Sequence, residues 1–248
     1  MVTRPVFSSE VDRVGVKVAD SAPFAWSPGF ALAQKQKNVD ALHAAIRKAD
    51  VRMRPLEVSS RSREEIGVRL SAFNLGAWVG DRFVTVESVY QASKVFEGGI
   101  GPFPELYGGN PKLVRDKIRG FGERKIVAYQ TGDVRWDLTP TRAFYDWVYC
   151  RALHKNQALV ANLAEFNCFT DIAFNPMKSL NCQAYAIALY LSLLANGVLE
   201  EALKDRDAFL KFHPSDVVGL APSNHIDKKP ASRKRRKSDK AAQQEFFL

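Results

Sequence analysis

The sequence predicts a predominantly helical α+β fold, a single domain with short strands and hairpins. Three observations carry that prediction. Several segments repeat apolar residues at helical spacing. The β-prone runs are short and are joined by turn signals such as Gly80-Asp81 and Thr131-Gly132-Asp133. Apolar residues make up 46% of the 248 and charged residues 25%, which suffices for a sizeable core.

The elements follow in order. Residues 4–7 and 14–18 read as strands. Ser27-Pro28 offers an N-cap and an N1 proline, and a helix to about Lys48 buries Leu32, Val39, Leu42 and Ile46. Residues 56–58 alternate as a strand. Ser62 and Glu65 have capping-box spacing for a short helix, and the hydroxyls of Ser59, Ser60 and Ser62 also suit a phosphate. Residues 77–79 and 82–84 form a hairpin. Thr85 then caps a helix expected over 86–97, with Val86, Val89, Ala92 and Phe96 as its buried stripe and Gly98-Gly99 as its stop. Residues 100–110 are a Gly/Pro-rich loop, and Asn110-Pro111 starts a basic helix whose charges read as a solvated face. Residues 125–129 and 134–136 make a second hairpin. Thr139-Pro140 opens a long helix, and residues 158–166 a shorter one. Thr170-Asp171 falls in a loop, and a very apolar helix runs from about residue 183 to Gly197.

Several classes are excluded or disfavoured. No run of 18 apolar residues spans a membrane, and the first residues lack a secretory h-region. Three widely spaced cysteines fit reduced thiols, so a cytoplasmic location is expected. His43, His154, His213 and His225 are scattered, no CxxC or HExxH pattern occurs, and no metal site is expected. Glycine-rich nucleotide fingerprints and a Walker loop are absent from the sequence.

The net charge of +9 is uneven. Residues 226–240 hold eight Lys/Arg against two Asp, six of the nine net positive charges. Lys228, Lys229, Arg233, Lys234, Arg235, Arg236 and Lys237 dominate this run. The expected division is a domain over 1–215 and a basic, disordered tail over 216–248. Such a tail holds nucleic acid by counterion release, or simply aids solubility. It also resembles a nuclear localisation signal.

Residues 70–99 organise the chemistry. On the expected helix Glu87, Tyr90, Gln91 and Lys94 share a stripe with polar tips, which by spacing alone is a solvated face. Read with LSAFN before it, however, TVESVYQASKVF resembles the signature of the NADAR family, named for NAD and ADP-ribose metabolism. Ser71, Phe73, Asn74, Glu87, Gln91, Ala92 and Lys94 match that pattern. FAWSPGFALAQKQK, LEVSSRS, FYDWVY and FTDIAFNPMKSLNCQAYA make residues 3–196 similar to the narrower branch found beside DarT-type toxins. The signature region covers 56–197.

The resemblance implies an ADP-ribosyl glycohydrolase that removes ADP-ribose from guanine in DNA, an antitoxin to a DarT-type toxin. It makes Lys94 the amine that forms a transient Schiff base with the sugar C1. Glu87 and Asp171 become the carboxyl groups for proton transfer or sugar orientation. Ser71, Phe73, Asn74, Tyr90, Gln91, Lys178, Ser179 and Asn181 become ligand-binding residues. Trp136 fits stacking on a base or adenine as well as it fits the core. No cofactor is implied. ADP-ribosylated DNA, the ADP-ribose product and the toxin are the implied partners, with no membrane. FTDIAFNP stands where most of the family has Asp followed by Trp-Gly. Two alternatives stay open at this level. One is an N-glycosidase for a small phosphorylated ribosyl amine, and the other a non-catalytic module that binds the modified DNA or the toxin.

Overall fold

A computed structural model describes residues 1–175 and 181–214. Lys178, Ser179 and the basic tail lie outside the described residues. The architecture is α+β, as the sequence predicts, with three small sheets among the described residues, set among helices.

The first sheet has strand order β2 (Val16–Asp20), β1 (Pro5–Ser9), β9 (Cys168–Thr170), β3 (Pro55–Glu57). Its two faces follow from the two-residue period of strands. Phe7, Leu56 and Phe169 turn one way into the main core, while Val6 and Cys168 turn the other way beneath α1 (Leu32–Ala49). Helix α7 (Gln183–Ala195) lies on the main-core side, packed against β1, β9 and α5 (Ala143–His154). It is buried almost all round, which explains why its sequence carries so little polarity.

The helix over α1 starts later than Ser27-Pro28 predicts. Asn38 takes the Ser27 backbone instead, accepting from its N–H at 2.7 Å and donating to its carbonyl at 2.9 Å. Leu32 is therefore 55% exposed rather than buried. Ser62 does not cap α2 (Glu65–Arg69) either: Glu64 occupies the N-cap without a side-chain bond, and Ser62 Oγ accepts from Glu64 N at 3.1 Å. Gly67 allows α2 to sit on β3. A Cβ there would come within 2.1 Å of the Glu57 carbonyl and 2.3 Å of Ser62 Oγ. Gly67→Ala is expected to lower stability by about 1–3 kcal/mol, measured by chemical denaturation.

The hairpin of β4 (Gly76–Val79) and β5 (Arg82–Thr85) forms as read, turning at Gly80 with φ +60°. Thr85 caps α3 (Val86–Ala92) through a capping box with Ser88. The helix then ends well short of Glu97. Its carbonyls at Ala92 and Ser93 accept from the backbone N–H groups of Phe103 and Gln130, so the chain leaves as strand β6 (Lys94–Phe96). That strand extends the hairpin of β7 (Ile126–Thr131) and β8 (Val134–Trp136), giving the order β6-β7-β8. Helix α4 (Pro111–Arg119), capped by Asn110, packs against α3. Thr170 lies on β9 rather than in a loop, and α6 (Gln157–Asn162), α8 (Leu199–Lys204) and α9 (Arg206–Phe212) complete the described fold. Cys150, Cys168 and Cys182 are all free and buried. Among the described residues no helix is long and apolar enough to cross a membrane.

Candidate active site

The site grows from the two-turn helix α3. Val86, Val89 and Ala92 anchor it in the core, which turns Glu87 and Gln91 toward a neighbouring, largely enclosed face. Glu87 and Gln91 are one turn apart, and Gln91 Nε2 donates to Glu87 Oε1 at 3.0 Å. Lys94, now on β6, swings back so that Nζ donates to Gln91 Oε1 at 2.5 Å. The Gln91 amide thus bridges a carboxyl group and an amine. The helical stripe predicted for Lys94 is replaced by this turn-back, and the charge of Glu87 still acts on the amine. Gly101 permits it: with φ +84°, a Cβ there would stand 2.2 Å from the Lys94 carbonyl.

Tyrosines close the site from the side. Lys94 Nζ lies 5.1 Å from the Tyr90 ring centre, and the Tyr90 and Tyr129 hydroxyls are 2.8 Å apart. Asn181 hydrogen-bonds Tyr90. Burial pushes the Lys94 amine down to about 8; the Arg119 charge acts in the same direction and Glu87 opposes both. Burial also raises Glu87, against the Gln91 bond and the charges of Arg115 and Lys94.

Asp171 follows β9 directly. Its Oδ1 accepts from Ala173 N at 3.0 Å and its Oδ2 from Gln183 Nε2 at 3.1 Å. Gln183 in turn accepts from Ala72 N at 2.8 Å, and the Ala72 carbonyl accepts from Glu87 N at 2.9 Å. One loop, residues 71–74, therefore ties Asp171 to Glu87. Tyr145, buried on α5, feels the charges of both. Asp171 keeps part of its surface open, yet the packing around its carboxyl group raises its pKa.

The remaining predicted residues divide. Ser71 is buried at the start of the connecting loop. Phe73 is half-buried under the Arg115 guanidinium, 5.2 Å from its ring centre. Asn74 is exposed, and its Nδ2 donates to the Val68 carbonyl at 2.8 Å, a bond that shapes the loop. Trp136 is corrected to core: it is 1% exposed, wedged among Phe144, Trp147 and Phe209, with no face open to a base.

Four residues escaped the sequence reading. Arg115 and Arg119 sit four apart on α4, and their charges reach Glu87 and Lys94. Arg61 acts on Asp171, and Glu57 is a fully buried acid beside it. An acid between Leu56 and Val58 in an apolar strand, and a basic pair at i, i+4, were the available signals. Among the described residues no group of three or more His, Cys, Asp or Glu could hold a metal ion. Two surface clefts, one lined by Arg151, His154 and Glu200 and one by Asp133, Arg135 and Arg206, include none of the site residues.

Fold and site together define a small α+β domain built around a desolvated lysine and two carboxyl groups. The chain belongs to the NADAR family, in its DarT1-associated antitoxin branch, whose model matches residues 2–219. This is the branch that the sequence segments resemble, and it links the protein to a DarT toxin. No curated protein matches the chain.

Proposed function

We propose that the protein is an N-glycosidase that releases ADP-ribose from guanine in DNA and so reverses a DarT-type toxin. The observation that carries this reading is the Lys94–Gln91–Glu87 bridge: an amine of lowered pKa held one amide away from a carboxyl group. In the proposed reaction the neutral Lys94 amine attacks C1 of the ribose. The bond from C1 to the guanine nitrogen breaks, and Glu87 supplies the proton that this nitrogen needs to leave. Ring opening gives a Schiff base between Lys94 and C1. Water adds to that carbon, the C–N bond breaks, and the lysine amine and ADP-ribose are regenerated. Asp171 orients the sugar and activates the water. Arg61, Arg115 and Arg119 supply positive charge for the ligand's phosphates, beside Ser71, Phe73 and Asn181. Lys178 and Ser179 remain proposed ligand contacts, and residues 1–215 the proposed catalytic domain. The basic segment, including Lys228, Lys229, Arg233, Lys234, Arg235, Arg236 and Lys237, adds sequence-independent attraction to DNA.

The direct test is release of ADP-ribose from an oligonucleotide carrying ADP-ribosyl-guanine, without added cofactor. Release supports the reading. No release from this substrate, with release from a small ribosyl amine, would move the activity to a metabolite.

The pH dependence follows from the amine. Lys94 acts only when neutral, and its pKa is lowered to about 8. The neutral fraction rises about 50-fold between pH 6 and pH 8. The kcat/KM for ADP-ribose release is expected to rise on the acid side as Lys94 becomes neutral and to fall on the alkaline side as Glu87, the proton donor, ionises, and stopped assays at fixed ionic strength would show both limbs. A profile without the acid limb counts against a lysine nucleophile.

A further inference from the structure

Glu57 is 1% exposed at the end of β3, paired in register with Thr170 of the parallel strand β9. Ser59 Oγ donates to its Oε1 at 2.6 Å, and Ile172 N lies 3.0 and 3.1 Å from its two oxygens. Thr170 Oγ1 is 2.8 Å from Oε2 and 3.0 Å from His43 Nε2. These bonds fix the residues on either side of Asp171. None of the ion pairs among the described residues involves Glu57. Burying one carboxylate without a cation is costly, and a second beside it costs more.

We infer that Glu57 is a positioning residue that stands beside Asp171 in its neutral, protonated form and leaves Asp171 to carry the pair's negative charge toward the ligand. The hydrogen-bond chain accommodates that state with the proton on Glu57 Oε2. Glu57 donates to Thr170 Oγ1, and the Thr170 hydroxyl donates to His43 Nε2. His43 must then be unprotonated, and burial holds it so by lowering its pKa to about 4. Burial and the Asp171 charge raise Glu57 to about 8, against the opposing effect of its hydrogen bonds with Ser59, Ile172 and Thr170. The groups facing the pair agree with this division. Arg61 and the Gln183 and Ala173 bonds favour charge on Asp171. Cys182, Tyr145 and Tyr149, on α5 and at the start of α7, are themselves held neutral by burial. The inference rests on the proposed activity for its catalytic meaning but not for its structural content.

Two measurements on the full chain test it. Infrared spectra at pH 7 of wild type, Glu57→Gln and Asp171→Asn should show protonated-carboxyl intensity that is reduced in Glu57→Gln and kept in Asp171→Asn. Equal bands in wild type and Glu57→Gln overturn the inference, whether or not the enzyme acts on DNA. In the release assay the alkaline decline of wild type, where Glu57 ionises as well as the proton donor Glu87, should be shallower in Glu57→Gln. That variant should exceed wild type by up to about tenfold at pH 9. A purely structural role would lower activity at every pH and leave the profile's shape unmoved. If Glu57→Gln fails to fold, Thr170→Val replaces it: loss of the acceptor for the Glu57 proton should shift the same band, and an unmoved band overturns the inference.

Discussion

Lys94→Ala is expected to lose ADP-ribose release by at least about 10³-fold while the protein stays folded. The size follows from the proposed role. A residue that forms the covalent intermediate is not replaced by water in the same cavity, so its loss removes a reaction path rather than a contact. Stability should change little, because the side chain is only partly buried and it donates a hydrogen bond to a single amide oxygen, that of Gln91. Lys94→Arg sharpens the test. It keeps a positive charge near Gln91 and Glu87 but places no neutral amine there, since guanidinium does not deprotonate in proteins. Both variants should be inactive, and borohydride should trap a covalent adduct only in wild type. Activity in Lys94→Arg would show that charge alone suffices and reduce Lys94 to an electrostatic role.

How far the site was legible in the sequence depends on the range of the interactions that build it. Thr85, Val86 and Val89 obey local rules, and the capped helix start is where the sequence places it. The end of that helix is not local. Nothing within residues 86–97 says that Phe103 and Gln130 will take the last carbonyls, and propensity carries the helix on to Glu97. The consequence is chemical as well as topological, since the same turn-back brings Lys94 onto Gln91. The sheets show the same limit. Val6-Phe7 and Leu56-Glu57 signal strands, but the parallel pairing of Glu57 with Thr170 joins residues more than a hundred positions apart. Glu57 alternates with Leu56 and Val58 along its strand, and its burial follows only when β9 is laid beside it. Ser62 and Ser27 fail differently. Each has the composition of a cap, but Ser62 Oγ accepts from the N–H of Glu64 two residues on, and the Ser27 backbone pairs with the Asn38 side chain. Local chemistry proposes the bond, and packing decides which partner gets it.

Trp136 is where these two levels can be separated by experiment. As a stacking platform it would contribute about 1–3 kcal/mol to ligand binding and little to folding. As a core residue it does the reverse. Its ring centre lies 5.0 Å from that of Trp147 and 5.7 Å from that of Phe144, with Phe209 of α9 closing the far side. Truncation to alanine would leave a cavity joining β8, α5 and α9 that these aromatic neighbours cannot refill. The expected loss is about 3–5 kcal/mol for Trp136→Ala, seen as a Tm lowered by roughly 10 °C or more. Trp136→Phe should cost much less. It keeps an aromatic ring at the centre of the cluster and removes an indole N–H that has no hydrogen-bond partner among the described residues. The decisive quantity is the KM of Trp136→Phe for the modified oligonucleotide. It should stay within about twofold of wild type, because the ring reaches the site only through α5, which carries Tyr145 one residue beyond Phe144. A KM raised tenfold or more with Tm intact would put Trp136 in contact with the ligand.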